Sequence, residues 1–299
     1  MKKIFILSIF ILTFQLLKAQ NLSPYTIGYE TNESVINTKA KLINQLELNN
    51  IKVVGNYQPA NDPNRAVIVF SSKELETSVK TIGGLTGFAT ALRIGITNEN
   101  GKTIVSYTNP LYWGNAYFKN SFDKVADNYR VLIEHLEKAM KASGNFSGTA
   151  FGSKHGLSIK DLRKYHYMMT MPYFEDVVEL GIFDNHNAAI DKLDANLKKG
   201  IEGISLVYKI SIPGTEMSLY GIAISGGKGE SKFMPIIDIG EHKHTAFLPY
   251  EVLIIDNKVL MLHGRYRIAI SFPDLTMGTF TKIMSTPGNI ETALKGLTK

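Results

Sequence analysis

Four metal-ligand side chains fall within seven positions of "IIDIGEHKHTAF" (236–247): Asp238, Glu241, His242 and His244. Histidines at i and i+2 share one face of an extended segment. Two imidazoles with a carboxylate nearby suit zinc or another borderline divalent metal. The carboxylate can be a third ligand, or it can fix a histidine tautomer. His263, in "LHGRYRIAI", joins this set if the sheet brings the two segments together. Lys243 stands between the histidines and no His-Glu-x-x-His spacing is present, so a solvated polar loop is the competing reading. The matching stretch of the first half, "KTIGGLTGFA" (80–89), has no histidine, which confines such a site to one half.

A second candidate is "TNPLYWGNAYF" (108–118), with Tyr112, the single tryptophan Trp113, Asn115 and Tyr117. In a loop, aromatic rings give contact area and amides give orientation, which is the make-up of a small-ligand surface. The alternative is that these rings close the end of a core. "HYMMTMPYFE" (166–175) gathers His166, Met168, Met169 and Met171, residues a soft metal would choose. As a strand it puts His166 and Met168 on one face and Met169 and Met171 on the other, which favours methionine as adaptable core filling. Arg265 and Arg267 could present an anion site, with salt bridging as the alternative.

No complete catalytic set can be assembled. There is no Gly-x-Ser-x-Gly, and Gly83-Gly84 and Gly226-Gly227-Lys228-Gly229 complete no nucleotide-binding pattern. The chain has no cysteine, which excludes thiol nucleophiles, iron–sulfur clusters and cysteine zinc sites.

The elements that must carry these residues recur. Residues 35–57 read as an amphipathic helix, with Leu42, Ile43 and Leu46 on its apolar stripe, leading to a strand that ends at Tyr57. Residues 185–208 repeat this with Ile190, Leu193 and Leu197, ending at Tyr208. Short strands follow at 66–72 and 220–226, then hairpins at 92–107 and 251–266, turning at 98–101 and at Asp256-Asn257. Proline-bearing loops (Asn109-Pro110, Phe272-Pro273), Phe118 and Phe280, and closing helices at 125–141 and 288–299 complete each half. The Gly- and Ser-rich stretch 143–158 reads as flexible linker, and Ser158 caps a short helix with Asp161 in capping-box spacing. The expected fold class is α+β: two tandem two-layer sheet-plus-helix domains related by an internal repeat. The expected boundaries are 1–19 signal, 20–142 first domain, 143–164 linker and short helix, and 165–299 second domain.

The runs "ATALRIGITNENGKTIVSYTNP" (89–110) and "LPYEVLIIDNKVLML" (248–262) resemble the bacterial family known as domain of unknown function 302. The first unit keeps "NGKTIVSYTNP" but has Thr90-Ala91 where Leu-Pro is usual. The second keeps Leu248-Pro249 but has Phe272-Pro273 in place of Asn-Pro. The resemblance spans about residues 30–141 and 178–299. It implies a small α+β fold, often paired with another copy, and it implies no reaction.

The N-terminus "MKKIFILSIFILTFQLLKAQ" has a basic start, an apolar run from Ile4 to Leu17 and a cleavage point after Ala19. That run is short for a bilayer span, so a cleaved export signal is expected, with the retained anchor as the alternative. Without residues 1–19 the formal net charge falls from +6 to +3, with basic residues scattered, which argues against a nucleic-acid partner. The sequence therefore predicts a periplasmic or secreted protein with no transmembrane segment after signal cleavage. It predicts a non-enzymatic binding or interaction module for an unknown small ligand or protein partner. The alternative is a metal-binding protein or metal-dependent enzyme, holding a divalent metal at Glu241, His242 and His244.

Overall fold

The computed structural model describes residues 21–299; the segment 1–19 read as an export signal lies outside them. Strand β1 (Tyr25–Thr31) leads to helix α1 (Val35–Leu48), whose first turn is closed by the Ser34 hydroxyl accepting from the Asn37 N–H. Strands β2 (Lys52–Tyr57) and β3 (Arg65–Ser71) precede α2 (Lys73–Ile82), capped by Ser72, and a 3₁₀ turn, Gly84–Ala89. The predicted hairpin is β4 (Leu92–Glu99) and β5 (Lys102–Thr108). Its turn residues Asn100 and Gly101 have φ of 52° and 84°, the left-handed pair that matches the twist of adjoining strands. Helices α3 (Pro110–Phe118) and α4 (Ala126–Ser143) complete the first half.

After β6 (Ala150–Phe151) and the Ser158-capped α5 (Ile159–Arg163), the second half runs through the same element types. They are β7 (Val178–Ile182), α6 (His186–Lys199), β8 (Ile204–Ser211), β9 (Met217–Ile224) and α7 (Glu230–Ile237). A 3₁₀ turn at Thr245–Phe247, β10 (Tyr250–Ile255), β11 (Lys258–Met261), α8 (Gly264–Ser271), α9 (Met277–Lys282) and α10 (Thr286–Lys295) follow. The sheets run β2-β3-β4-β5-β1-β6 and β8-β9-β10-β11-β7, antiparallel throughout. Apart from β6 the two orders match strand for strand. The fold class is α+β, with two sheet-plus-helix units. Among the described residues no helix is long and apolar enough to cross a membrane.

Three expectations change. Each unit also holds an opening strand, a helix before the hairpin and a helix after it, and Phe118 and Phe280 lie in α3 and α9, which do not correspond. The expected flexible linker is paired backbone. Ser147 and Gly148 N–H groups donate to the Gly28 and Ile27 carbonyls, and β6 joins the edge of β1. The stretch 166–175 is a series of turns, not a strand: His166 stacks on Tyr173 at 3.9 Å and its Nε2 meets the Met171 carbonyl at 2.7 Å. Met171 packs against the core while Met169 is 92% exposed, so core filling describes only the former.

Strand alternation divides the side chains between two cores. On β4, Leu92, Ile94 and Ile96 pack with Leu42 and Leu46 of α1 and Leu132 and Leu136 of α4. On β10, Tyr250, Val252 and Ile254 pack with Leu193 of α6 and Leu294 of α10. The intervening residues meet the other unit. Gly95 lies against Thr245 and Ala246, and Gly87 lies against Leu253. Arg93 and Glu251, the second residues of β4 and β10, pair directly at 2.5 Å. Glu251 also accepts from Arg267 Nη1 (2.7 Å) and the Tyr208 hydroxyl (2.7 Å), all out of solvent. Burial works against the Arg267 cation, but Glu251 beside it holds its pKa above the usual arginine value. Removing one partner from such a cluster costs about 3–5 kcal/mol, because the remaining charge is stranded.

Candidate functional site

A cleft of about 500 Å³ opens where three segments meet: residues 150–154 around β6, residues 237–244 from the end of α7 into the following loop, and residues 272–279 between α8 and the start of α9. Pairing with β1 sets the first wall, since Phe151 stands opposite Tyr25 and the ring centroids are 5.4 Å apart. The Asp274 carboxylate then accepts from the Lys154 N–H (2.5 Å) and the Ser153 hydroxyl (3.3 Å), which ties the third segment to the first.

The segment 237–244 is fixed from the first unit. Arg65 of β3 pairs with Asp238, whose other oxygen accepts the His244 N–H at 2.8 Å. Glu99, at the tip of β4, accepts from His242 Nδ1 (3.0 Å) and the Lys243 N–H (2.8 Å). These contacts turn both imidazoles to the cleft.

His244 is only 9% exposed, stacked on Phe272 at 4.5 Å with Tyr25 at 4.8 Å. Its Nδ1 lies 3.2 Å from the Ser271 carbonyl oxygen. A carbonyl can only accept, so Nδ1 carries the proton and Nε2 presents a lone pair when the ring is neutral. Burial lowers the His244 pKa, with the nearby Asp238 charge opposing it, which favours that neutral form. His242 repeats the arrangement, with Nδ1 on the Glu99 carboxylate and its ring edge-on to Phe151 at 5.6 Å. Among the described residues neither Nε2 has a hydrogen-bond partner. Glu241, Asp274 and Lys154 line the same cleft, and none of them forms an ion pair among the described residues.

Three of the residues the sequence nominated therefore line this cleft: Glu241, His242 and His244. Asp238 lies behind it and is neutralised by Arg65. His263 lies elsewhere, capping α8 by accepting the Arg265 N–H at 3.2 Å beside a separate cavity with Glu291. Of the set Asp238, Glu241, His242, His244 and His263, the structure brings Glu241, His242 and His244 to one cleft and leaves Asp238 and His263 outside it. No group of three or more His, Asp or Glu among the described residues is arranged to hold an ion. Each Nδ1 of the two cleft histidines is taken by an acceptor from another element, Glu99 for His242 and Ser271 for His244.

The aromatic surface at 108–118 is also corrected. Asn109 and Pro110 start a helix, with the Asn109 side chain accepting from the Leu111 N–H. A helix apolar on nearly every side buries itself. Tyr112 donates to the Ile270 carbonyl (2.8 Å) and Trp113 Nε1 to the Pro24 carbonyl (2.9 Å). Asn115 accepts from Arg163 Nε (2.9 Å), and Tyr117 stacks on Phe174 at 5.0 Å. All four are core residues, no more than 3% exposed. Of the proposed arginine pair, Arg267 is buried on Glu251 while Arg265 is exposed.

Sequence reasoning missed Phe151, Glu99, Phe272 and Asp274. Phe151, like Phe146 and Leu157, is a large apolar residue within a Gly- and Ser-rich stretch, the local sign that this stretch packs. No family model and no curated protein matches the chain. Among solved structures it is similar to one described as "uncharacterized conserved protein DUF302 from Bacillus stearothermophilus". The two share 14% identity with a TM-score of 0.31, over 37% of this chain and 96% of that one.

Proposed function

We propose that this is an exported, non-enzymatic binding module made of two divergent copies of one α+β domain, joined by residues 143–164, with its ligand in the cleft beside His242 and His244. Export rests on the signal-like residues 1–19. The two-copy reading draws on the matched strand orders of the two sheets. One observation carries the binding reading: an open, largely apolar-lined cleft of about 500 Å³ into which two oriented imidazoles offer unused acceptors. Pockets of this size with a few placed polar groups hold small molecules.

Thermal unfolding with a panel of small molecules tests it, in the wild type and in Thr279→Trp, which fills the cleft mouth while leaving the Thr276 helix cap in place. A ligand at a hundred times its Kd should stabilise the wild type by about 2.7 kcal/mol and leave the variant unmoved. Equal stabilisation of both proteins, or none in either, contradicts the reading.

A further inference from the structure

We propose that the cleft selects an organic ammonium: a protonated amine carried on an apolar body. This rests on the cleft being a binding site and names what that site takes. The unused polar atoms around it accept rather than donate. His244 is more than nine-tenths buried, and its Nδ1–H is committed to the Ser271 carbonyl, so Nε2 has only a lone pair to offer. His242 is committed in the same way to Glu99. Glu241 and Asp274 add two carboxylates without a cationic partner among the described residues. Asp274 already takes two donors from 153–154, yet a carboxylate has further acceptor positions free.

An ammonium brings up to three N–H donors and no acceptor, which complements such a set. A carboxylate ligand would face lone pairs on both histidines and the charge of two acids. A hydroxyl could satisfy one acceptor at most. Lys154 is the single opposing charge; it is exposed, and only its backbone N–H is engaged, by Asp274. The part-exposed ring of Phe151 supplies the second half of the recognition, with Phe272, stacked on His244, as apolar wall behind it. Aromatic faces attract cations at close range and also bury an apolar body. A hydrated metal ion would gain nothing from that apolar wall.

Calorimetric titration of the full chain with phenethylammonium chloride, 2-phenylethanol, 3-phenylpropionate and zinc chloride tests this, in the wild type and in Glu241→Gln/Asp274→Asn. The double variant keeps side-chain shape and an acceptor oxygen at each position. We expect phenethylammonium to bind at least about 10-fold tighter than the alcohol, which a desolvated cation–π contact supplies. We expect the double variant to weaken it by about 5- to 25-fold, as two partly exposed ion pairs would, without changing the alcohol. Tighter binding of the alcohol or the propionate overturns the ammonium assignment and leaves the cleft a binding site. Zinc that binds through His242 and His244 and displaces the amine overturns it in favour of a metal. If nothing binds, the assignment and the binding reading both fall.

Discussion

Glu230 and His244 are both buried at the junction of the two units, and their titrations act on stability in opposite directions. Burial raises the Glu230 pKa from 4.5 to about 6, against the pull of the Ala60 and Ile224 N–H groups and the Tyr57 hydroxyl that it accepts. The folded state therefore holds this proton more tightly than the unfolded chain. Its contribution is fully present below pH 4.5 and is lost as pH rises to 6, by about 2 kcal/mol. His244 has a lowered pKa, so its contribution is present above the ordinary histidine value and is lost as pH falls through that range. Urea unfolding across pH 4–8 separates them. The wild type minus Glu230→Gln difference should slope downward by about 2 kcal/mol between pH 4.5 and 7; parallel curves would contradict the burial account. The two histidines were legible in the sequence because residue type and i, i+2 spacing are local. Their partners were not, since Glu99 is 143 positions from His242 and Ser271 is 27 from His244.

Elements carry the next level. Gly95 sits where β4 meets the Thr245–Phe247 turn of the other unit, and a Cβ there would lie 2.8 Å from the Ala246 nitrogen and 2.9 Å from Thr245 Cβ. Backbone cannot step aside as a flexible side chain would. Gly95→Ala should therefore destabilise by about 1–3 kcal/mol, as overpacked cores do. Gly288→Ala, in open space at the start of α10, should stay level or gain up to about 1 kcal/mol from helix propensity. Equal urea midpoints for the two variants would argue against this packing. Hairpins and capped helices were readable because their signals lie within a few residues: Asn100-Gly101, Ser158 with Asp161, Leu42 with Leu46. The helix α3 was read as a loop, because Asn-Pro marks a turn and a helix start alike and its rings have no polar face to set a period. Residues 147–151 were read as flexible because glycine and serine are common in linkers, while the edge of β1 that pairs them is distant in sequence.

At the scale of the molecule, one surface of each unit is completed by the other. Arg93 with Glu251, Arg65 with Asp238 and Tyr57 with Glu230 cross the junction, and the last two anchor the segments that lead into the cleft loop. The matching strand orders of the two sheets were foreshadowed in the sequence by recurring periodicity. The cleft was not, because its walls come from the segment around β6, from a loop held by the first unit and from the α8–α9 connection. That division also explains why the "EHKH" loop was nominated from the sequence while the aromatic residues beside it in the cleft were not. The most direct measurement follows the side-chain nitrogens of all seven histidines by NMR while phenethylammonium chloride is added to the full chain. The account predicts saturable shifts at Nε2 of His242 and His244, with His135, His155, His166, His186 and His263 unmoved. Shifts centred on His263 or His166, or no shift at any of the seven, would contradict it.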